Sequence, residues 1–249
     1  DVYQGAPTPT TSFLAVASKA AGAFLLIQLI QGPFFALDAF LIPILSVLCV
    51  LTILFGNISA TGQTNIKRLI GLSGISHAGY LLLGVIASYT VPGAVYAVLF
   101  YLSVYLLSSF LVFASLTYME NEEDALLETK NYQGLYKQNP LMGIASLIGI
   151  ASLAGVPPLG GFVAKVLLFL VAYQAGLYSL LVVAIIGVVI SIYYYFSWIR
   201  SIVFISDEGR LDTSNSIILS TPQKCLLIIL MVAISMAGLF PGLLNYFVQ

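Results

Sequence analysis

Residues 140–174 read PLMGIASLIGIASLAGVPPLGGFVAKVLLFLVAYQ, a run of 35 residues in which only Lys165 is charged. A membrane-spanning helix needs about 20 mostly apolar residues, because each adds about 1.5 Å across a hydrocarbon core about 30 Å thick. This run is too long for one straight span, and its middle says where it breaks. Residues 154–161 are AGVPPLGG. Pro157 and Pro158 remove two backbone donors and clash with the preceding turn, while Gly155, Gly160 and Gly161 add conformational freedom. The expectation is a discontinuous helix, with one half over 140–156 and the other over 161–174. Unwound backbone at membrane depth is tolerated only inside protein or beside a watery cavity, so a break here marks a functional interior. A helix, a surface loop and a re-entrant hairpin form the other arrangement the run allows.

Six more apolar segments flank this one, at about 12–30, 37–58, 66–88, 92–119, 178–205 and 223–247. The fold class is therefore an all-α polytopic membrane protein of about seven transmembrane helices, one of them discontinuous, in a single transmembrane domain over residues 1–249. The composition agrees: 60% of the chain is hydrophobic and 8% charged, against about 25% charged in a soluble domain. Mean hydropathy is +1.03. No segment alternates as a barrel strand does. Nucleic acid is excluded as a partner, because there is no basic patch with interleaved aromatics. Cys49 and Cys225 lie in apolar runs and read as small buried hydrophobes. The chain opens on Asp1 in what reads as the middle of a loop, so a longer protein is expected.

The loop charges orient the helices. With seven crossings, the side that holds the start of the chain also holds the loops near 59–67, 119–139 and 204–222. Lys67, Arg68, Lys130, Lys137, Arg200, Arg210 and Lys224 fall there, seven of the nine Lys and Arg, and the opposite side has none. The positive side is expected to be cytoplasmic, or its organellar equivalent, with the C-terminus opposite. The acids Glu120, Glu122, Glu123, Asp124 and Glu128 read as a solvated connector. Trp198 with Tyr193, Tyr194 and Tyr195 reads as an interfacial aromatic belt.

The remaining two cations are Lys19 and Lys165, both inside spans. A lysine at a span centre costs about 2.5–3.5 kcal/mol on insertion scales, so each points to a cavity or a partner. None of the ten acids lies deep in a span, and Asp38 sits at a helix edge. The counter-charge is expected from further sequence, a neighbour or water. Burial without a counter-charge disfavours the charged lysine, which is the behaviour a proton relay requires. His77, the one histidine, sits mid-helix and can pass a proton, or simply bond a neighbouring helix. Tyr101, Tyr105 and Ser108 share one helix face, as packing contacts or as a wetted wall. No cysteine cluster, paired haem histidines or phosphate loop is present.

Several stretches then carry a resemblance: DVYQGAPTPT at 1–10, QTNIKRL at 63–69, SHAGY at 76–80, SLAGVPPLGGFVAK at 152–165 and YYY at 193–195. This ordered set resembles the antiporter-like membrane subunits of respiratory complex I, the proton-pumping NADH:quinone oxidoreductase, and is most similar to their subunit N branch. The resemblance implies fourteen helices built around inverted repeats, with this chain holding the last seven. It implies proton translocation through a central line in which Lys19 and Lys165 are relay lysines, with His77 between. It implies no cofactor in this chain, with quinone, FMN, NADH and iron–sulfur clusters in other subunits. The partners would be the other membrane-arm subunits and the lipid bilayer, in an energy-transducing membrane such as a bacterial inner membrane. A subunit of a cation/proton antiporter, of a related hydrogenase or photosynthetic complex, or a non-pumping structural subunit remain alternatives at this stage.

Overall fold

The computed structural model describes residues 5–118, 128, 132–204 and 219–244. Among the described residues eight helices carry the fold: α1 (Thr8–Gln31), α2 (Asp38–Thr61), α3 (Ile66–Ala87), α4 (Ala94–Thr117), α5 (Pro140–Ala154), α6 (Gly160–Gln174), α7 (Tyr178–Val203) and α8 (Thr221–Leu239). A single turn, Leu135–Gln138, leads into α5. The starts are encoded locally. Asn65 and Asn139 each accept a hydrogen bond from the third residue after them, Arg68 N–H and Met142 N–H. Ser220 and Gln223 form a reciprocal capping box before α8. Such caps satisfy the amides that the first turn leaves without partners.

Among the described residues six helices are long and apolar enough to cross a bilayer, and α5 and α6 are two shorter apolar helices in tandem. That matches the seven expected crossings, one of them broken. The break spans residues 155–159, starting two residues earlier and ending one earlier than the proline positions led us to expect. The chain leaves the helix at Gly155, before the prolines are reached. α8 also ends earlier than the expected 247: Pro241 lacks an amide to continue the ladder, and a 3-10 turn, Pro241–Leu244, follows.

α3 and α4 form the interior. α3 packs against α1, α2, α4, α6 and α7, and α4 against α1, α3, α5, α6 and α8. The apolar window of α3 is 78% buried and that of α2 only 17%. The outward face of α2 presents Phe40, Val47, Leu51, Phe55 and Ile58, each exposed. Hydrocarbon or another membrane helix must cover such a face, since water would not.

Two readings of the sequence change. Tyr193 is 67% exposed, as a belt residue is, but Tyr195 is wholly buried, and Tyr194 and Trp198 are nearly so. The helical period turns one tyrosine outward and the next two into the core. Lys67, one of the cations of the charged side, is fully buried and donates to the Ala6 carbonyl at 3.0 Å. Cys49 is buried, but Cys225 is exposed. Glu128 pairs through its backbone with Asn65. Residues 1–4, Glu120, Glu122, Glu123, Asp124, Lys130, Asp207, Glu208, Arg210 and Asp212 lie outside the described residues.

Candidate functional site

The broken helix makes the site. Gly155 closes α5 in the left-handed conformation, φ 85°, which an L side chain adopts only with strain. A Cβ there would also stand 2.9 Å from Lys165 Cδ. The last four carbonyls of any helix lack donors within it. In α5 all four are satisfied. Ala151 O accepts from Gly155 N–H and Val156 N–H at 3.0 and 2.9 Å, and Ser152 O accepts from Gly155 N–H at 3.0 Å. Leu153 O and Ala154 O accept from the Lys165 ammonium at 2.9 and 2.8 Å.

Lys165 thus reaches back from the second turn of α6 to finish the helix before the break. The partial negative charge of a helix C-terminus favours a cation there. Among the described residues neither Lys165 nor Lys19 pairs with a carboxylate. The counter-charge that the acids do not provide comes, for Lys165, from peptide carbonyls. Lys165 is only 4% exposed. Its ammonium has three donors and the two carbonyls take two; the head also lies 5.6 Å from the centroid of the Tyr80 ring.

Ser152 ties the two sides of the break together. Its hydroxyl oxygen accepts from the Ser108 hydroxyl at 2.7 Å and from Gly161 N–H, in the first turn of α6, at 3.2 Å. α8 closes over the outside. Gly238 lies so near the backbone of Pro158, Leu159 and Gly160 that no side chain fits between, and a Cβ on Gly160 would meet Ile234 O at 3.0 Å. Small residues permit this approach of backbones within a membrane.

The cavity is small. It leaves about 10 Å³ to a water's centre, and its polar wall is His77, Tyr101, Tyr105, Ser108, Ser152 and Lys165. That is room for about one water. His77, 4% exposed, spans two tyrosines: its Nδ1 lies 2.6 Å from Tyr101 Oη and its Nε2 3.2 Å from Tyr195 Oη. In a neutral imidazole one nitrogen donates and the other accepts, so one tyrosine receives a proton contact while the other gives one. Lys19 stands behind Tyr105, donating to its hydroxyl at 3.2 Å. It is near the midpoint of α1. The Tyr105 ring in turn lies against His77, centroid to centroid 4.8 Å.

Of the residues selected from sequence, Lys165, His77, Tyr101, Tyr105, Ser108 and Gly161 converge on one cavity. Lys19 adjoins it through Tyr105. Pro157 and Pro158 do not line it, and Gly160 serves the contact with α8. Sequence reasoning missed Ser152, Tyr195 and Gly238. A hydroxyl just before a break was the signal for Ser152. For Tyr195 it was the spacing Ala184, Gly187, Ser191, Tyr195 and Trp198, a buried helical stripe.

An all-α membrane subunit with a broken helix and a lysine that caps it is the class this geometry defines. The comparisons make the class definite. The chain belongs to the NADH:quinone oxidoreductase/Mrp antiporter transmembrane family, whose model matches residues 1–191. NADH-quinone oxidoreductase subunit N 1 of Opitutus terrae is 49% identical over 215 residues, 86% of this chain and 43% of that protein. NAD(P)H-quinone oxidoreductase subunit 2 of a Synechococcus species is 40% identical over 203 residues, 82% of this chain and 38% of that protein. A chain of respiratory complex I from Thermus thermophilus superposes with TM-score 0.82 at 32% identity, covering 98% of this chain and 52% of that one. A chain of the Mrp complex from a Dietzia species shares the fold, TM-score 0.79, at 20% identity. The chain spans about half the length of the relatives it matches. It is a multi-pass protein of an energy-transducing membrane.

Proposed function

We propose that this chain is the proton-translocating portion of a subunit of NADH:quinone oxidoreductase, working beside other membrane-arm subunits. Lys19 and Lys165 are its proton stations. Protons pass between them through the Tyr105 hydroxyl, His77 and one water in the cavity, and Tyr101 and Tyr195 hold the imidazole. Quinone reduction elsewhere in the complex supplies the driving energy. FMN, NADH, quinone and iron–sulfur clusters belong to other subunits. The single observation that carries this reading is the convergence of one buried lysine, one histidine and four hydroxyls on a cavity sized for one water, with a second, half-buried lysine bonded to one of those hydroxyls.

The chain works as one transmembrane unit, with the side bearing Arg68, Lys137, Arg200 and Lys224 facing the cytoplasm of a bacterium. The relatives at 49% and 40% identity are quinone oxidoreductase subunits by name, which favours this reading over a cation/proton antiporter of the same fold. The test is NADH-driven acidification of liposomes by the whole complex in sodium-free buffer. Acidification that persists without sodium and is lost in Lys19→Met supports the proposal. Acidification that requires sodium favours the antiporter reading, and full acidification in Lys19→Met contradicts the relay.

A further inference from the structure

α3 passes the middle of α1 at Gly74. The head of Lys19 rests directly on this glycine: a Cβ at Gly74 would overlap Lys19 Nζ, and would stand 3.2 Å from Tyr105 Oη and 3.4 Å from Lys19 Cε. Those are the three nearest atoms such a Cβ would meet. Gly74 is buried inside α3, and its φ is not positive. Its conformation therefore gives no reason for glycine, which is disfavoured against alanine in a helix interior. The volume a methyl group would take is occupied by the ammonium.

The other flank of Lys19 opens on an outward-facing groove of about 280 Å³, apolar apart from Thr52, lined by Gly22, Ala23, Leu26 and Leu82 among others. A lysine head at this depth has two places to go. One is the notch at Gly74, within reach of the Tyr105 hydroxyl. The other is the groove, away from the cavity that holds His77 and Lys165. We infer that Gly74 is a positioning residue for the relay, holding open the seat that keeps the Lys19 ammonium on Tyr105. The inference rests on the relay reading above. The same device recurs at the other lysine, where Gly155 leaves room for Lys165 Cδ, but there the left-handed backbone also demands glycine. Gly74 is the position where the space alone accounts for the residue.

The test uses the whole complex with Gly74→Ala, compared with Gly22→Ala, whose added Cβ meets nothing within 4 Å. Protons moved per electron and the pH profile of pumping are recorded together. The expected result is a fall of about tenfold or more in proton transfer through this subunit, since a misplacement of about 1 Å can cost up to about a hundredfold, with an altered pH profile and with Gly22→Ala unchanged. If Gly74→Ala fails to assemble, Gly74→Ala with Lys19→Ala decides. Assembly rescued by removing the lysine side chain supports the notch, because the collision is then with that side chain. Assembly still lost overturns it. Normal pumping in Gly74→Ala, where Lys19→Ala pumps poorly, overturns this inference and leaves the relay standing. Normal pumping in both variants overturns both.

Discussion

The Lys165 ammonium donates to the Ala154 carbonyl at 2.8 Å, across the break in the helix. One side chain finishes the hydrogen bonding of α5 and, in the proposed relay, also carries the proton at the edge of the cavity. The two roles separate by experiment, because a helix end tolerates other caps while a proton station needs a titratable group.

Ser152→Ala removes the acceptor shared by Ser108 and Gly161. It leaves a buried backbone amide without a partner, at a cost of about 1–3 kcal/mol. The complex carrying it is expected to lose activity on heating at a lower temperature than wild type. Ser103→Ala is expected to be close to neutral, because Ser103 bonds only its own helix at Leu99 O. Thermal inactivation of both variants side by side checks this.

Gly155→Ala combines a left-handed backbone with a Cβ pressed on Lys165 Cδ. Gly176 also has positive φ, 72°, but its Cβ would meet nothing within 4 Å. Alanine at Gly176 is expected to cost about 1–2 kcal/mol from the backbone alone. At Gly155 it should cost more, seen as lower abundance of assembled complex. Equal abundance of the two variants would place Lys165 somewhere other than over Gly155.

Tyr195→Phe deletes the hydroxyl beside His77 Nε2 and nothing else of that size. Pumping is expected to fall severalfold, because the imidazole keeps only its Tyr101 partner. Tyr193→Phe, two residues earlier on the exposed face, is expected to have no effect. Proton-to-electron ratios for the pair test whether the tyrosines act as a belt or as a site.

The tyrosines also show how much the sequence disclosed. The seven crossings and the broken one were legible because hydrocarbon enforces length and because Pro157, Pro158 and the glycines interrupt an otherwise continuous run. Lys19, Lys165 and His77 were legible because polar groups are rare in spans and therefore visible. Tyr194, Tyr195 and Trp198 were misread because aromatic residues suit both an interface and a core, and composition does not separate the two. Their period along α7 would have separated them. The source of counter-charge for Lys165 was out of reach, because peptide carbonyls leave no mark in a sequence. Gly238 was hidden for a related reason: its partner is the backbone of a distant loop.

The central claim is that Lys165 is a proton station and not only a helix cap. The most direct measurement is the number of protons moved per electron by the assembled complex carrying Lys165→Met, reconstituted in sealed liposomes. Methionine is close to lysine in volume but carries no exchangeable proton. Because methionine also leaves the Leu153 and Ala154 carbonyls without that donor, the account predicts less assembled complex, and in what does assemble, electron transfer when the membrane is made leaky but fewer protons moved per electron than wild type. An unchanged proton-to-electron ratio in Lys165→Met would contradict it.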